Sequence, residues 1–172
     1  MRRLAAFVAV ASLAALPACA HAPAAPTPPR ASDELTPALF FVGTWTGTSH
    51  AVGGKDTWLR WTVAPALDGT WLAGEAFARE LRVHVRDFWG HTPDGFVRVY
   101  VDSQGTHAML HARGWEGKTW IWEGEVTAHD GTHVRLRETI ERVDDATMHA
   151  RYELTDDAGV YQPASEETLH RE

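Results

Sequence analysis

The chain has a single thiol, Cys19, so no disulfide can form within it and its folded part must be held by packing. After Arg2 and Arg3 the basic residues form no cluster, which excludes the positive footprint that a nucleic-acid partner needs. No long stretch repeats with a helical period, and no His-x-Glu-His, Cys-x-x-Cys or similar ligand set occurs. Ten histidines are present, but their spacing assembles no metal site. His107 and His111 share a strand face about 13 Å apart, and His129 and His133 flank a turn. Haem bound through His50, His84 or His170 would rest on one histidine alone, so no cofactor is expected.

What is present begins with an export leader. Arg2-Arg3 form a basic start, Leu4 to Leu16 an apolar run too short to span a bilayer, and Leu16-Pro17-Ala18-Cys19 a small-residue end. Residues 1–18 therefore read as a signal peptide, and two processing routes remain open. Cys19 can be acylated as the new N-terminus, which makes a lipoprotein of the periplasm held to a membrane by its lipid. Alternatively, Ala18-Cys19-Ala20 is an ordinary cleavage site that releases a soluble protein. Residues 19–34, rich in proline and alanine, read as an extended tether. Losing the two leader arginines takes the formal charge from −7 to −9.

Residues 35–172 read as one all-β domain. Asp68-Gly69, Pro93-Asp94-Gly95, Gln104-Gly105, Glu116-Gly117, Asp130-Gly131, Asp144-Asp145 and Asp157-Ala158-Gly159 punctuate alternating β-rich runs, the pattern of hairpin loops between strands. About ten strands are expected, and an antiparallel up-and-down sheet of that size closes to remove its edges. One short helix precedes them, with Thr36 as N-cap, Pro37 at its first position and Gly43 at its end. Leu39, Phe40 and Phe41 would then plug one end of the barrel. In "GTWTG", Gly43 lets the chain leave the helix, Trp45 seals the barrel floor and Gly47 permits the bend of the first strand.

The Gly43-Thr44-Trp45-Thr46-Gly47 motif after a short apolar helix, followed by meandering strands, resembles the calycin group of lipocalins and fatty-acid-binding proteins. With the Tyr100-Val101-Asp102-Ser103 and Arg137-Glu138-Thr139 stretches, it is similar to a family of exported bacterial lipocalin-like domains without assigned function. The same start resembles nitrobindin, a haem-binding barrel. However, Gly47-Thr48-Ser49 departs from that pattern, and only His170 could stand in for its proximal histidine. The resemblance implies a lipocalin-like barrel and a ligand in its interior.

Register follows where charge pairing and turn chemistry agree. A three-residue loop at His129-Asp130-Gly131 sets Glu125 opposite Arg135 and Glu123 opposite Arg137, with Trp120, Trp122, Leu136, Glu138 and Ile140 on the inner face. A loop at Asp144-Asp145-Ala146 sets Glu138 opposite Tyr152 and Ile140 opposite Ala150. Both leave Glu138 as a lone carboxylate among Trp120, Trp122, Ile140 and Tyr152, the candidate ligand-binding residues. Such a group needs a partner or a raised pKa. It is met structurally by Tyr152, a water or an arginine from across the barrel, or it orients a ligand's polar group.

The central hairpin, with Gln104-Gly105 as a two-residue loop, places Val97, Val99, Val101, Ala108, Leu110 and Ala112 inside. Arg98, Tyr100, His107 and His111 then lie outside, with Asp102 beside His107 as a surface pair. A one-residue slip would bring Arg98, Tyr100, His107 and His111 inward. Of the eight tryptophans, Trp45, Trp71, Trp120 and Trp122 read as floor and wall. Trp58, Trp61, Trp89 and Trp115 are scattered over other strands and loops.

The expected function is binding of a small, largely apolar or amphipathic molecule inside the barrel, with the membrane as a second partner if Cys19 is acylated. Nothing in the chain sets an oligomeric state. Two alternatives make different demands. A hydrolase or isomerase would need Arg98, His107 or His111 beside Glu138 in the lumen. A structural envelope module would be filled solid by its tryptophans, with no cavity above about 300 Å³.

Overall fold

The computed structural model describes residues 32–172. The leader, Cys19 and the tether up to residue 31 lie outside the described residues. Eleven strands follow one helix: β1 (Gly43–Ala51), β2 (Thr57–Ala66), β3 (Trp71–Ala78), β4 (Val83–Thr92), β5 (Gly95–Asp102), β6 (His107–Ala112), β7 (Trp115–Glu116), β8 (Thr119–Thr127), β9 (His133–Arg142), β10 (Thr147–Thr155) and β11 (Tyr161–Arg171). Each long strand pairs antiparallel with its sequence neighbours, β1 pairs with β11, and β6 pairs with β8. The sheet is therefore a closed antiparallel up-and-down barrel of ten strands, as expected. The short β7 adds two residues of pairing on β8.

The helix is a 3-10 helix over Asp33–Phe41, and it corrects the expected start. Thr36 and Pro37 lie inside it, and Ser32 precedes it without a side-chain cap. Its first residues fall in the segment read as tether. With about three residues per turn, Leu35, Ala38 and Phe41 stack on one face and are buried. Leu39 is thrown to the other side and is 40% exposed, so it does not plug the barrel as expected. Arg171, at the end of β11, donates to the carbonyls of Val42 and Phe40 and lies 4.2 Å over the Trp45 ring. The last strand thus clamps the helix to the floor.

Trp45 is fully buried, and its indole N–H donates to the Phe41 carbonyl at 2.9 Å. Gly43 leaves the helix at φ 130°, in a region that favours glycine. Gly47 has a different reason from the bend expected of it. A Cβ there would stand 1.8 Å from the Thr168 carbonyl oxygen of β11, so glycine allows the two strands that close the barrel to approach.

The registers of β8–β9 and β9–β10 are those the charge pairs require, with Glu123 opposite Arg137, Trp122 opposite Glu138 and Glu138 opposite Tyr152. The central hairpin is not. Asp102 N–H donates to Thr106, Gly105 N–H donates to Asp102, and Gly105 sits at φ 94°. Ser103-Gln104-Gly105 is therefore a three-residue loop, one longer than expected, and a one-residue change turns β5 over relative to β6. Arg98 pairs with Leu110 and Tyr100 with Ala108 on the inside. Val99 and Val101 face outward with Met109 and His107, while Ala108, Leu110 and Ala112 stay inside as expected. Val97 also leaves the inner face, opposite His111. Asp102 does not pair with His107. Its carboxylate accepts from the Gln104 and Thr106 N–H groups and from the Tyr100 hydroxyl.

Replacing Gly47 with alanine forces the β11 backbone away from β1. We expect Gly47→Ala to destabilise the barrel by about 3 kcal/mol, the upper range for overpacking. The urea midpoint checks this, and an unchanged midpoint contradicts the close approach.

Candidate functional site

The barrel is solid at one end and hollow at the other. Floor aromatics fill the helix end. Trp89, Trp120 and Trp122 are 0% exposed, and Phe41 packs on Trp89 at 4.8 Å and on Trp120 at 5.5 Å. Phe96 lies 4.7 Å from Trp120, and Trp115 donates its indole N–H to the Pro37 carbonyl at 2.7 Å. Trp120 and Trp122 point inward as expected, but these neighbours close over them and they line neither cavity described below. Their part is packing of the floor. Trp71, expected in that packing, is on the outer face, where its ring covers Gly90. Trp61 takes the inner place, 5.5 Å from Trp89.

A chain of buried polar groups lies above the floor. Arg98 on β5 reaches across the barrel to β9, and its Nη1 donates to Glu138 Oε2 at 2.6 Å. Its Nε donates to Asp87 Oδ2 on β4 at 2.8 Å, and its Nη2 lies 2.7 Å from the same oxygen. The guanidinium also lies over the rings of Trp89 and Trp61, at 5.1 and 5.9 Å. Arg98, Asp87 and Glu138 are 8%, 0% and 3% exposed. A Cβ on Gly74, opposite Asp87, would fall 1.8 Å from Asp87 Oδ1, so that glycine makes room for the carboxylate. Tyr152 on β10 donates its hydroxyl to Glu167 Oε2 on β11 at 3.1 Å.

The electrostatics follow from burial. Burial disfavours the charge on Arg98, but Glu138 and Asp87 more than offset it and keep it protonated. Burial pushes the Glu138 carboxyl upward, against the pull of Arg98 and Tyr152. Burial and then the Glu138 charge push Glu167 up to about 7, with Ser49 and Tyr152 opposing. The Tyr100 and Tyr152 hydroxyls are raised, chiefly by burial, and stay neutral.

Two cavities open toward the loops opposite the helix. The larger, about 320 Å³, is lined by Leu59, Trp61, Ala76, Val85, Ile140 and Met148, with Arg98, Glu138, Tyr152 and Glu167 among its polar walls. The smaller, about 210 Å³, lies toward β6 and β8 and shares Arg98, Tyr100, Glu138 and Tyr152 with the first. The Arg98–Glu138 pair is thus a bar across the lumen with space on either side. Glu138, Ile140 and Tyr152 line the lumen, whereas His107 and His111 are exposed on the outside. Among the described residues, no group of three His, Cys, Asp or Glu side chains is arranged to hold a metal ion.

Sequence reasoning missed Asp87 and Glu167 and placed Arg98 on the wrong face. Asp87 interrupts the inward series Val83, Val85, Trp89 as a lone acid, the same signal that marks Glu138. Glu167 stands two residues before the inward Leu169 on its strand.

No family model matches the chain, and no curated protein matches it. Among solved structures it is similar to Rv2717c from M. tuberculosis, with TM-score 0.60 and 13% identity over 83% of this chain and 99% of that one. That likeness shows the fold alone. EF1p2_mFAP2b bound to DFHBI and a de novo designed fluorescence-activating beta barrel align with TM-scores of only 0.39 and 0.37, at 14% and 16% identity. Each covers 78% of this chain and 96% of its own.

Glu167 also gives the fold a pH dependence. Its folded pKa of about 7 lies above the ordinary 4.5, so the folded state holds a proton that the unfolded chain releases earlier. Its contribution is full below about pH 4.5 and is lost as pH rises through about 7. Glu138 titrates in the same direction. Thermal melts are expected to show falling stability between pH 5 and 8, with Glu167→Gln flattening the decline. An equally steep decline in the variant would contradict the assignment.

Proposed function

We propose that this protein is an exported barrel, lipid-anchored at Cys19 in the periplasm, that binds a small, largely apolar molecule in its lumen. The resemblance to exported bacterial lipocalin-like domains supports this reading. The observation that carries it is the larger cavity. At about 320 Å³ it falls within the range of small-molecule sites, and apolar walls around a few convergent polar groups are the usual composition of such sites. The filled-barrel alternative accounts for the floor but leaves the hollow half unexplained. The enzymatic alternative asked for a histidine or arginine beside Glu138. Arg98 is there, but its guanidinium stays protonated and cannot exchange a proton at working pH, and no histidine lines either cavity.

Binding is tested with N-phenyl-1-naphthylamine, a neutral dye that brightens in apolar surroundings. We expect saturable binding to the purified protein, weakened at least tenfold by Ala76→Phe or Ala150→Phe, each of which fills the larger cavity. Dye binding unchanged in both folded variants would place it outside the lumen and overturn the reading. The anchor is tested separately in cells, where Cys19→Ala is expected to move the protein from the membrane to the soluble fraction. A variant that stays on the membrane contradicts acylation.

A further inference from the structure

We propose that the lumen is built for a cationic ligand, a protonated amine on a small and otherwise apolar body, with the ammonium seated against Glu167 and Glu138. This inference rests on the lumen-binding reading and adds a chemical class to it.

The charge inventory of the lumen points this way. Among the described residues, Arg98 is the one cation lining either cavity, whereas Glu138, Glu167 and, at the mouth, Asp102 are acidic groups of the larger one. The guanidinium is already engaged on three nitrogens, two on Asp87 and one on Glu138. A ligand carboxylate would therefore meet a cation shared by two acids, with further acids beside it, and would be repelled. This sets the lumen apart from a site in which a free arginine receives an anion.

One acid of the larger cavity has no cationic partner, whereas Asp87, whose unpartnered Oδ1 faces Gly74, lines neither cavity. The groups that hold Glu167 are hydroxyls, those of Tyr152 and Ser49, with no cation in contact. Buried charge is stable when paired, and the pairing missing from this wall is a positive group on the cavity side. Leu59, Met148 and Leu169 surround the same space and would take an apolar tail. A neutral ligand would use these walls but leave the acids as they are. Only a cation satisfies both.

Octylamine, octanol and octanoate share a tail and differ in charge, and each can be titrated against bound N-phenyl-1-naphthylamine at pH 7.5. Octylamine is expected to displace the dye at a concentration at least tenfold below octanol, with octanoate the weakest. In Glu167→Gln, the ratio between octylamine and octanol is expected to collapse toward one. Octanol matching octylamine, octanoate binding best, or an undiminished ratio in the folded variant would each overturn the cationic assignment while leaving lumen binding intact. Failure of the dye and all three compounds to bind would overturn both. The wild-type ranking alone is decisive should Glu167→Gln not fold.

Discussion

The interior depends on the guanidinium of Arg98. It ties β4 to β9 through Asp87 and Glu138 and rests on the ring faces of Trp61 and Trp89 at the top of the floor. Taking three charges out of water is costly, and such a group holds only when geometry and hydrogen bonding repay the desolvation. Arginine suits the position because its planar fork can serve two carboxylates at once and its face can stack on indole. Removing the cation would leave two buried acids without a counter-charge, a loss of about 3–5 kcal/mol in comparable buried pairs. The same bar divides the open half into two chambers, so one ion pair sets the shape of the lumen.

The two ends of the barrel differ because the inward positions carry different residues. Near the helix they are Phe41, Trp45, Trp61, Trp89, Phe96, Trp120 and Trp122, large enough to meet across the lumen. Toward the other end they include Ala76, Ala78, Ala108 and Ala150, which cannot reach one another. An aromatic floor of this kind, clamped from below by Arg171 and the helix, fixes the strands well enough for the upper half to stay open. Closure contributes as well, since every long strand has a partner on both sides.

Much of this was legible in the sequence, and the failures have identifiable causes. The β8–β9 and β9–β10 registers could be read because opposite charges on the outer face and apolar pairs on the inner face agree on one alignment. The central hairpin offers no charge pairs. Burial preference alone favoured valines over arginine inside, yet the Ser103-Gln104-Gly105 loop has the same length and the same left-handed glycine as the His129-Asp130-Gly131 loop that was read correctly. The helix was placed by its capping residues, when the spacing of Leu35, Ala38 and Phe41 by threes was the better guide. Trp71 and Trp89 were assigned without a register for β3 and β4, so their faces could not be told apart. Asp87 passed unnoticed for the same reason, although Gly74 opposite it marked a place where the sheet needed room.

The surplus of acid in the lumen is hard to explain as a device for stability. A buried ion pair can often be replaced by apolar side chains at no loss, and a lumen meant only to be filled could have been completed with leucine and tryptophan, as the floor was. Asp87 and Arg98 alone would satisfy most of each other's needs. Glu138 and Glu167 add negative charge that burial resists, and Glu167 contributes least to the fold near neutral pH, where its proton is leaving. Residues that cost stability and face a cavity are of the kind proteins retain for function. On that reasoning the acids belong with the ligand proposed for the barrel, and the fold tolerates them because the aromatic floor and the closed sheet supply its stability elsewhere.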